Sequence, residues 1–260
     1  MKKLIFTALL GALVLISCKK EDTTPETPET TQSLHYVIAT ATTSANETVT
    51  LYSEEATFLT GYNNVYVTVT DANGAAVTDA IINYAPLMTM TSMTHSAPVE
   101  QPTLVDNKYK GAVVFTMSSL AGQWSLTVDV NGNPVNFNLT VNESTTKMVG
   151  SYVGTDGTTY FISLVRPVDW TVGLNDVEVL INSKASMMSF PADNDFTIVM
   201  DPEMISMGHG SPNNISPTLV GNGHYKGVVN YTMTGDWRLH FNLSKNGTEI
   251  HSDAFLDILF

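Results

Sequence analysis

Two short windows of the sequence combine methionine with histidine. The first reads Met88-Thr-Met90-Thr-Ser-Met93-Thr-His95 and the second Met200-Asp-Pro-Glu-Met204-Ile-Ser-Met207-Gly-His209. Half of the chain's 12 methionines fall in these two windows. A thioether is soft and stays neutral at every pH, and soft sulfur ligands select Cu(I), with imidazole a second suitable ligand. In an extended segment Met-x-His puts both side chains on one side, and a further Met upstream can complete a low-coordinate site. The expected metal ligands are therefore Met88, Met90, Met93 and His95 in the first window, with Met204, Met207 and His209 in the second. Packing is the competing explanation, because Met fills irregular core gaps and Met88-Thr-Met90 alternates like a half-buried strand. Against packing, Pro202, Gly208 and Gly210 make the second window loop-like, and a core does not call for a repeated His.

Other chemistry is poorly represented. His224 stands where the first half has Lys108, and His35, His240 and His251 have no counterparts, so these four are read as structural or surface residues. Met117 and Met233 lie in strand-like runs and are expected in the core. Asp193-Asn-Asp195 lacks the spaced ligands and glycine of a calcium loop. Gly221-Asn-Gly223 and Gly208-His-Gly210 lack the strand–helix setting of a phosphate loop. No His-Glu-x-x-His, Gly-x-Ser-x-Gly or nucleophile–base pair is present, so no catalytic residues are expected.

The elements that must position these residues read as β. Tyr36-Val-Ile-Ala-Thr, Val65-Tyr-Val-Thr-Val-Thr, Gly111-Ala-Val-Val-Phe-Thr-Met and Trp124-Ser-Leu-Thr-Val-Asp-Val are rich in β-branched and aromatic residues, and several alternate apolar with polar. Asn73-Gly74, Asn131-Gly132 and Asn246-Gly247 separate such runs and signal tight hairpins. Many short strands with regular turns predict an all-β sandwich.

The chain also repeats itself. Gly61-Tyr-Asn-Asn-Val65 answers Gly173-Leu-Asn-Asp-Val177, and Met93-Thr-His95 answers Met207-Gly-His209. Pro102-Thr-Leu-Val105 answers Pro217-Thr-Leu-Val220, and Tyr109-Lys-Gly111 answers Tyr225-Lys-Gly227. Thr116-Met117 answers Thr232-Met233, and Gly122-Gln-Trp124 answers Gly235-Asp-Trp237. The matches keep their order at an offset of about 115 residues, roughly one sandwich domain.

At the N-terminus Lys2 and Lys3 precede an apolar run from Leu4 to Ile16, too short to span a bilayer comfortably and laid out as a secretory signal peptide. Leu15-Ile-Ser-Cys18 closes it and resembles a bacterial lipobox, which implies cleavage before Cys18 and acylation of that residue. Several acyl chains, at about 0.8 kcal/mol per buried CH2, hold firmly to a membrane. Cys18 is the only cysteine, so no intrachain disulfide can form. Lys19 to Ser33 is polar, rich in Pro and Thr, and expected to be a disordered spacer. Its opening Lys-Lys-Glu-Asp resembles the export signal of surface lipoproteins in the Bacteroidota and points to the outer membrane, facing the periplasm or the exterior. The formal net charge is −13 and becomes −15 once Lys2 and Lys3 are removed. That charge excludes nucleic acid as a partner and favours cations.

With these residues in hand a family resemblance emerges. Pro86, Met88, Met93, His95, Pro98, Tyr109, Gly111, Val113, Met117, Gly122, Trp124 and Leu126 follow the order of the YtkA-like domains, related to FixH-like and CopC-like proteins. Pro202, Met204, Met207, His209, Pro212, Tyr225, Gly227, Val229, Met233, Gly235, Trp237 and Leu239 resemble the same pattern a second time. The resemblance implies an immunoglobulin-like sandwich outside the cytoplasm with a role in copper handling. Thr94 departs from the common Gly-His. The Cu(II) site of CopC-like proteins uses a free N-terminus, which an acylated Cys18 cannot supply, and the FixH-type membrane helix is absent.

The expected organisation is a signal peptide (1–17), a lipidated Cys18 with linker (18–33) and two tandem YtkA-like sandwiches (34–144 and 145–260). The expected function is a non-catalytic, Cu(I)-binding envelope lipoprotein that meets a membrane through its lipid and exchanges copper with an envelope protein. A surface adhesion or assembly module, with the Met windows as packing, is the alternative.

Overall fold

The computed structural model describes residues 35–165 and 169–260. Cys18, the signal peptide and the linker lie outside the described residues, and so do the readings that rest on them. The first half contains β1 (Tyr36–Thr42), β2 (Thr48–Ser53), β3 (Phe58–Leu59), β4 (Gly61–Thr70), β5 (Ile82–Thr89), β6 (Thr94–His95), β7 (Val99–Val105), β8 (Lys108–Phe115), β9 (Gln123–Val130), β10 (Asn133–Leu139) and β11 (Val141–Asn142). The second contains β12 (Val149–Val153), β13 (Thr159–Leu164), β14 (Gly173–Ser183), β15 (Thr197–Met204), β16 (His209–Gly210), β17 (Ile215–Gly221), β18 (His224–Tyr231), β19 (Asp236–Lys245) and β20 (Thr248–Leu259). No helix long and apolar enough to cross a membrane occurs among the described residues.

Each half is a sandwich of a five-stranded and a four-stranded sheet. The five-stranded orders are β1-β2-β4-β8-β7 and β12-β13-β14-β18-β17, and the four-stranded orders are β10-β9-β5-β6 and β16-β15-β19-β20. The first half adds a small parallel pair of β3 and β11. The two topologies correspond strand for strand, and the fold is an immunoglobulin-like β-sandwich, as the strand patterns predict.

Alternation along the strands builds the two cores. In β4, Val65, Val67 and Val69 turn inward, and in β9 Trp124, Leu126, Val128 and Val130 do the same. Val177, Val179 and Ile181 of β14 and Trp237, Leu239, Phe241 and Leu243 of β19 fill the second core. Burial of such side chains contributes about 1.5–3 kcal/mol each relative to exposure.

The turns follow from residues that tolerate positive φ. Asn131 and Gly132 take φ values of 51° and 84°, and Asn246 and Gly247 take 51° and 77°. These are the left-handed pairs a type I′ hairpin needs. Asn222-Gly223, at 51° and 77°, and Asp106-Asn107, at 48° and 62°, form two more. Gly221-Asn-Gly223 is thus a hairpin between β17 and β18.

The repeated Tyr-x-Gly and Gly-x-Trp residues have structural work in both halves. The Tyr109 hydroxyl accepts from the Ala80 amide at 2.8 Å, and the Tyr225 hydroxyl accepts from the Phe196 amide at 3.0 Å. A Cβ on Gly111 would stand 2.5 Å from the Glu100 carbonyl, and one on Gly227 would stand 2.4 Å from the Ile215 carbonyl. Trp124 and Trp237 are fully buried and donate from Nε1 to the carbonyls of Met117 and Met233, at 2.9 and 3.0 Å. These roles leave the repeated histidines to be explained by their own surroundings.

The described residues form one compact unit. The seam between the sandwiches is made by side chains that turn away from both cores. Tyr62, Ala112 and Val114 of the first half pack with Leu180 of the second, flanked by Val149 and Val165.

Candidate metal centre

His95 sits on the two-residue strand β6, paired to the end of β5 so that His95 faces Met88. Only 6 % of the residue is exposed. Its Nδ1 lies 2.6 Å from the Ser96 carbonyl oxygen. A carbonyl can only accept, so Nδ1 carries the proton, and in the neutral ring Nε2 presents a lone pair. Nε2 is buried and has no hydrogen-bond partner in the structure. A buried polar atom without a partner costs about 1–3 kcal/mol, so this nitrogen is an anomaly that calls for an explanation. One ring nitrogen fixed by a carbonyl and the other left open is the arrangement that metal-bound histidines show. Trp124 packs edge-on against the ring, with centroids 5.6 Å apart and planes at 90°, and fixes its orientation.

His95 lines a cavity of about 250 Å³. Met90, Met93 and Met117 line it from the first half, and Met187, Phe161 and Phe190 from the second, with Thr116, Ser151 and Lys184 as the polar part of the wall. Four methionine residues and His95 thus line one space, with the unpartnered Nε2 of His95 itself closed to solvent. Met has three rotatable bonds, so these sulfurs can close on an ion without moving the backbone. The donor set fits Cu(I), which takes soft neutral ligands.

The structure separates the expected ligands of the first window. Met88 is fully buried in the core and is not part of the cavity wall. The reason is the end of β5 at Thr89. Beyond it the chain turns, the Met90 amide donating to the Met93 carbonyl at 2.9 Å, so the alternation that would keep Met88 and Met90 on one side stops between them. Gly122 makes room for this turn, since a Cβ there would lie 2.4 Å from the Thr89 carbonyl and 2.9 Å from Met90 Cγ. Met93 is half exposed at 49 %. Two cavity methionines were not expected there. Met117, expected in the core from its strand-like run, falls just past the end of β8, where it packs against the first core and also lines the cavity. Its recurrence as Thr-Met in both halves was a usable signal. Met187 belongs to a segment without a counterpart in the repeat, and nothing in the sequence links it to His95.

The second window is arranged differently. Met204 faces His209 across β15 and β16, as Met88 faces His95, and is buried with its Cε close to Gly235. His209 likewise places Nδ1 on the next carbonyl, that of Gly210, at 2.9 Å and meets Trp237 edge-on. Its surroundings, however, are polar. The cavity of about 390 Å³ beside it is lined by residues such as Asp201, Glu203, His240 and Asp253, without Met204 or Met207. Met207 is 59 % exposed. His240 is occupied by Glu203 at 3.1 Å and by Asp253. Among the described residues no group of three or more His, Cys, Asp or Glu is placed to hold a metal ion.

A second polar cluster crosses the seam. His224 Nε2 contacts Glu100 Oε1 of the first half at 2.6 Å, and its Nδ1 contacts Glu178 Oε1 at 2.7 Å. Tyr62 donates to the other Glu100 oxygen at 2.6 Å, and Lys226 lies 3.1 Å from Glu178. The hydrogen bond to Glu100 raises the His224 pKa above its ordinary value, against the effect of burial. Burial works to raise the Glu100 pKa, but the hydrogen bonds from His224 and Tyr62 hold it below the ordinary carboxylate value. His224, read from sequence as a surface residue, is therefore part of the contact between halves.

The YtkA-like family model matches residues 42–129, a span that runs from the end of β1 into β9 and contains Met90, Met93, His95 and Met117. The resemblance read from the spaced residues of the first half is thereby met over residues 42–129. No curated protein matches the sequence. Solved structures with similarity include the Escherichia coli adhesin FdeC, at 17 % identity and a TM-score of 0.31, covering 85 % of this chain and 66 % of that one. Domains 5–6 of the S-layer protein SbsC are 14 % identical with a TM-score of 0.31, covering 87 % and 98 % of the two chains. A conserved domain protein from Bacillus anthracis is 12 % identical with a TM-score of 0.32, covering 88 % and 92 %.

Proposed function

We propose that this protein is a non-catalytic envelope lipoprotein that binds Cu(I) at His95 with Met90 and Met93. The observation that carries the reading is His95, whose Nε2 is buried and unpartnered, lining one cavity together with four methionines. Buried side-chain nitrogens usually have a hydrogen-bond partner, and four methionines share the cavity wall with this histidine. Cu(I) is the metal whose ligand preferences match thioether and imidazole without carboxylate. Lipidation at Cys18 would hold the protein to the outer membrane, with an envelope copper protein as its exchange partner. The chain's negative charge favours the approach of a cation.

The test is an anaerobic titration of the whole chain, in detergent, with Cu(I) buffered by a calibrated chelator. Stoichiometric binding that His95→Ala weakens at least tenfold supports the reading. Binding no stronger in wild type than in His95→Ala overturns it.

A further inference from the structure

We infer that the copper site is completed by Met187 of the second half, so that a bound ion ties the two sandwiches together. The inference rests on the Cu(I) reading of His95 and adds to it a ligand, a geometry and a consequence for the seam.

Met187 lies on a loop between β14 and β15 that is folded back on its own sandwich. Lys184 donates to the Thr159 carbonyl at 2.8 Å, Ser183 donates to the Pro191 carbonyl at 3.0 Å, and the Asn182 side chain donates to the Phe190 carbonyl at 3.1 Å. Phe161 packs edge-on against Phe190, with centroids 5.5 Å apart. The tip of this supported loop is pinned to the first half by one backbone hydrogen bond. The Ser96 amide donates to the Met187 carbonyl at 2.8 Å. Ser96 is the residue whose own carbonyl accepts from His95 Nδ1. The bond therefore holds the Met187 backbone against the residue that anchors the imidazole, and Met187 and His95 line the same cavity.

The second window shows what the site lacks without such a loop. His209 has the same carbonyl partner and the same tryptophan neighbour, but the cavity beside it is lined by no methionine and Met207 stands in solvent. The two histidines differ in the methionines of their own half and in the segment that the second half brings to His95. Phe161 and Phe190, from that same half, form apolar wall around the site and limit the access of water to a bound Cu(I). With Met187 as ligand, the ion contacts both halves, and separating them requires breaking a metal–sulfur bond.

The experiment compares the whole chain with its Met187→Leu, Met188→Leu and His95→Ala variants, using Cu(I) itself as the probe. Affinity is read by chelator competition, sulfur ligation by X-ray absorption at the copper edge, and seam closure by amide hydrogen exchange in 184–190 with and without Cu(I). Met187→Leu conserves volume and should fold, whereas Met188 is exposed and serves as the control. The expected result is at least tenfold weaker binding and one fewer sulfur neighbour in Met187→Leu, no change in Met188→Leu, and Cu(I)-dependent slowing of exchange in 184–190 in wild type only. Unchanged affinity and sulfur count in Met187→Leu, while His95→Ala loses the ion, would overturn the bridge and leave the copper reading intact. Equal binding by His95→Ala and wild type would overturn both. If Met187→Leu does not fold, wild-type exchange decides, because absence of Cu(I)-dependent slowing in 184–190 rejects the bridge.

Discussion

His224 Nε2 and Glu100 Oε1 face one another at 2.6 Å across the seam between the sandwiches. The imidazole also meets Glu178, and Tyr62, Lys110 and Lys226 complete the charged and titratable groups around the cluster. The contact needs His224 protonated and Glu100 ionised. His224 has a folded pKa above 6.5, so its contribution is complete below 6.5 and is lost as the pH rises through the folded value. Glu100 has a folded pKa below 4.5, so its contribution is present above 4.5 and is lost as the pH falls through the lowered value. Thermal stability should therefore be greatest in the mildly acidic range and fall on the alkaline side. The His224→Gln variant should lose about 1–2 kcal/mol in the mildly acidic range, as expected for a charged, partly exposed contact, and very little at alkaline pH. Melting curves across this range check it, and parallel profiles for wild type and variant would remove His224 as their cause.

The same ring environment that leaves His95 Nε2 unpaired predicts an effect of removing the ring altogether. Apo His95→Ala leaves the Ser96 carbonyl without the ring donor and opens space beside Trp124, so the apo protein should lose about 2 kcal/mol. The Cu(I)-dependent rise in melting temperature should vanish in the variant. For wild type a free Cu(I) concentration 100 times the dissociation constant should add about 2.7 kcal/mol. Paired melting scans with and without Cu(I) provide the measurement.

Gly122 is the position where backbone packing and the site meet most directly. A methyl group there would stand 2.4 Å from the Thr89 carbonyl and 2.9 Å from Met90 Cγ. Gly122→Ala should destabilise the protein by about 1–3 kcal/mol, as overpacking does, and should displace Met90 from the cavity. Urea denaturation gives the first quantity, and Cu(I) competition on the folded variant gives the second, with weaker binding expected.

Trp124 offers a contrast with its counterpart. Replacing either Trp124 or Trp237 by Phe leaves a Met carbonyl without its indole donor and opens space in the core, for a loss of about 2 kcal/mol in each. Only Trp124→Phe should also alter Cu(I) affinity, because only His95 faces the methionine-lined cavity. Equal effects of both substitutions on copper binding would contradict that asymmetry.

Much of the fold could be read before any coordinates, because it is written in short-range pattern. The alternation in Trp124-Ser-Leu-Thr-Val-Asp-Val places Trp124, Leu126 and Val128 inward, and Asn131-Gly132 supplies the turn that follows. The histidine of the first window was legible for the same reason, since it recurs without a role in core or turn. The residues around that histidine were legible only in part. Met88 and Met90 differ in fate because β5 ends between them, and strand ends are poorly marked in sequence. Met117 took its expected place from a strand that stops two residues earlier. Met187 approaches His95 through tertiary contact alone, which no local pattern encodes. The contact of His224 was not legible because its partner Glu100 lies in the other half and the repeat gives the histidine no counterpart.

Ser96 spends all its polar groups on three different parts of the molecule. Its hydroxyl donates to Pro86 in β5, its carbonyl accepts from the His95 ring, and its amide holds the loop of the second sandwich. The residue thus works as a fulcrum one amino acid long. The loop of the second sandwich and the imidazole of the first hang from the same residue, and both take their position from it.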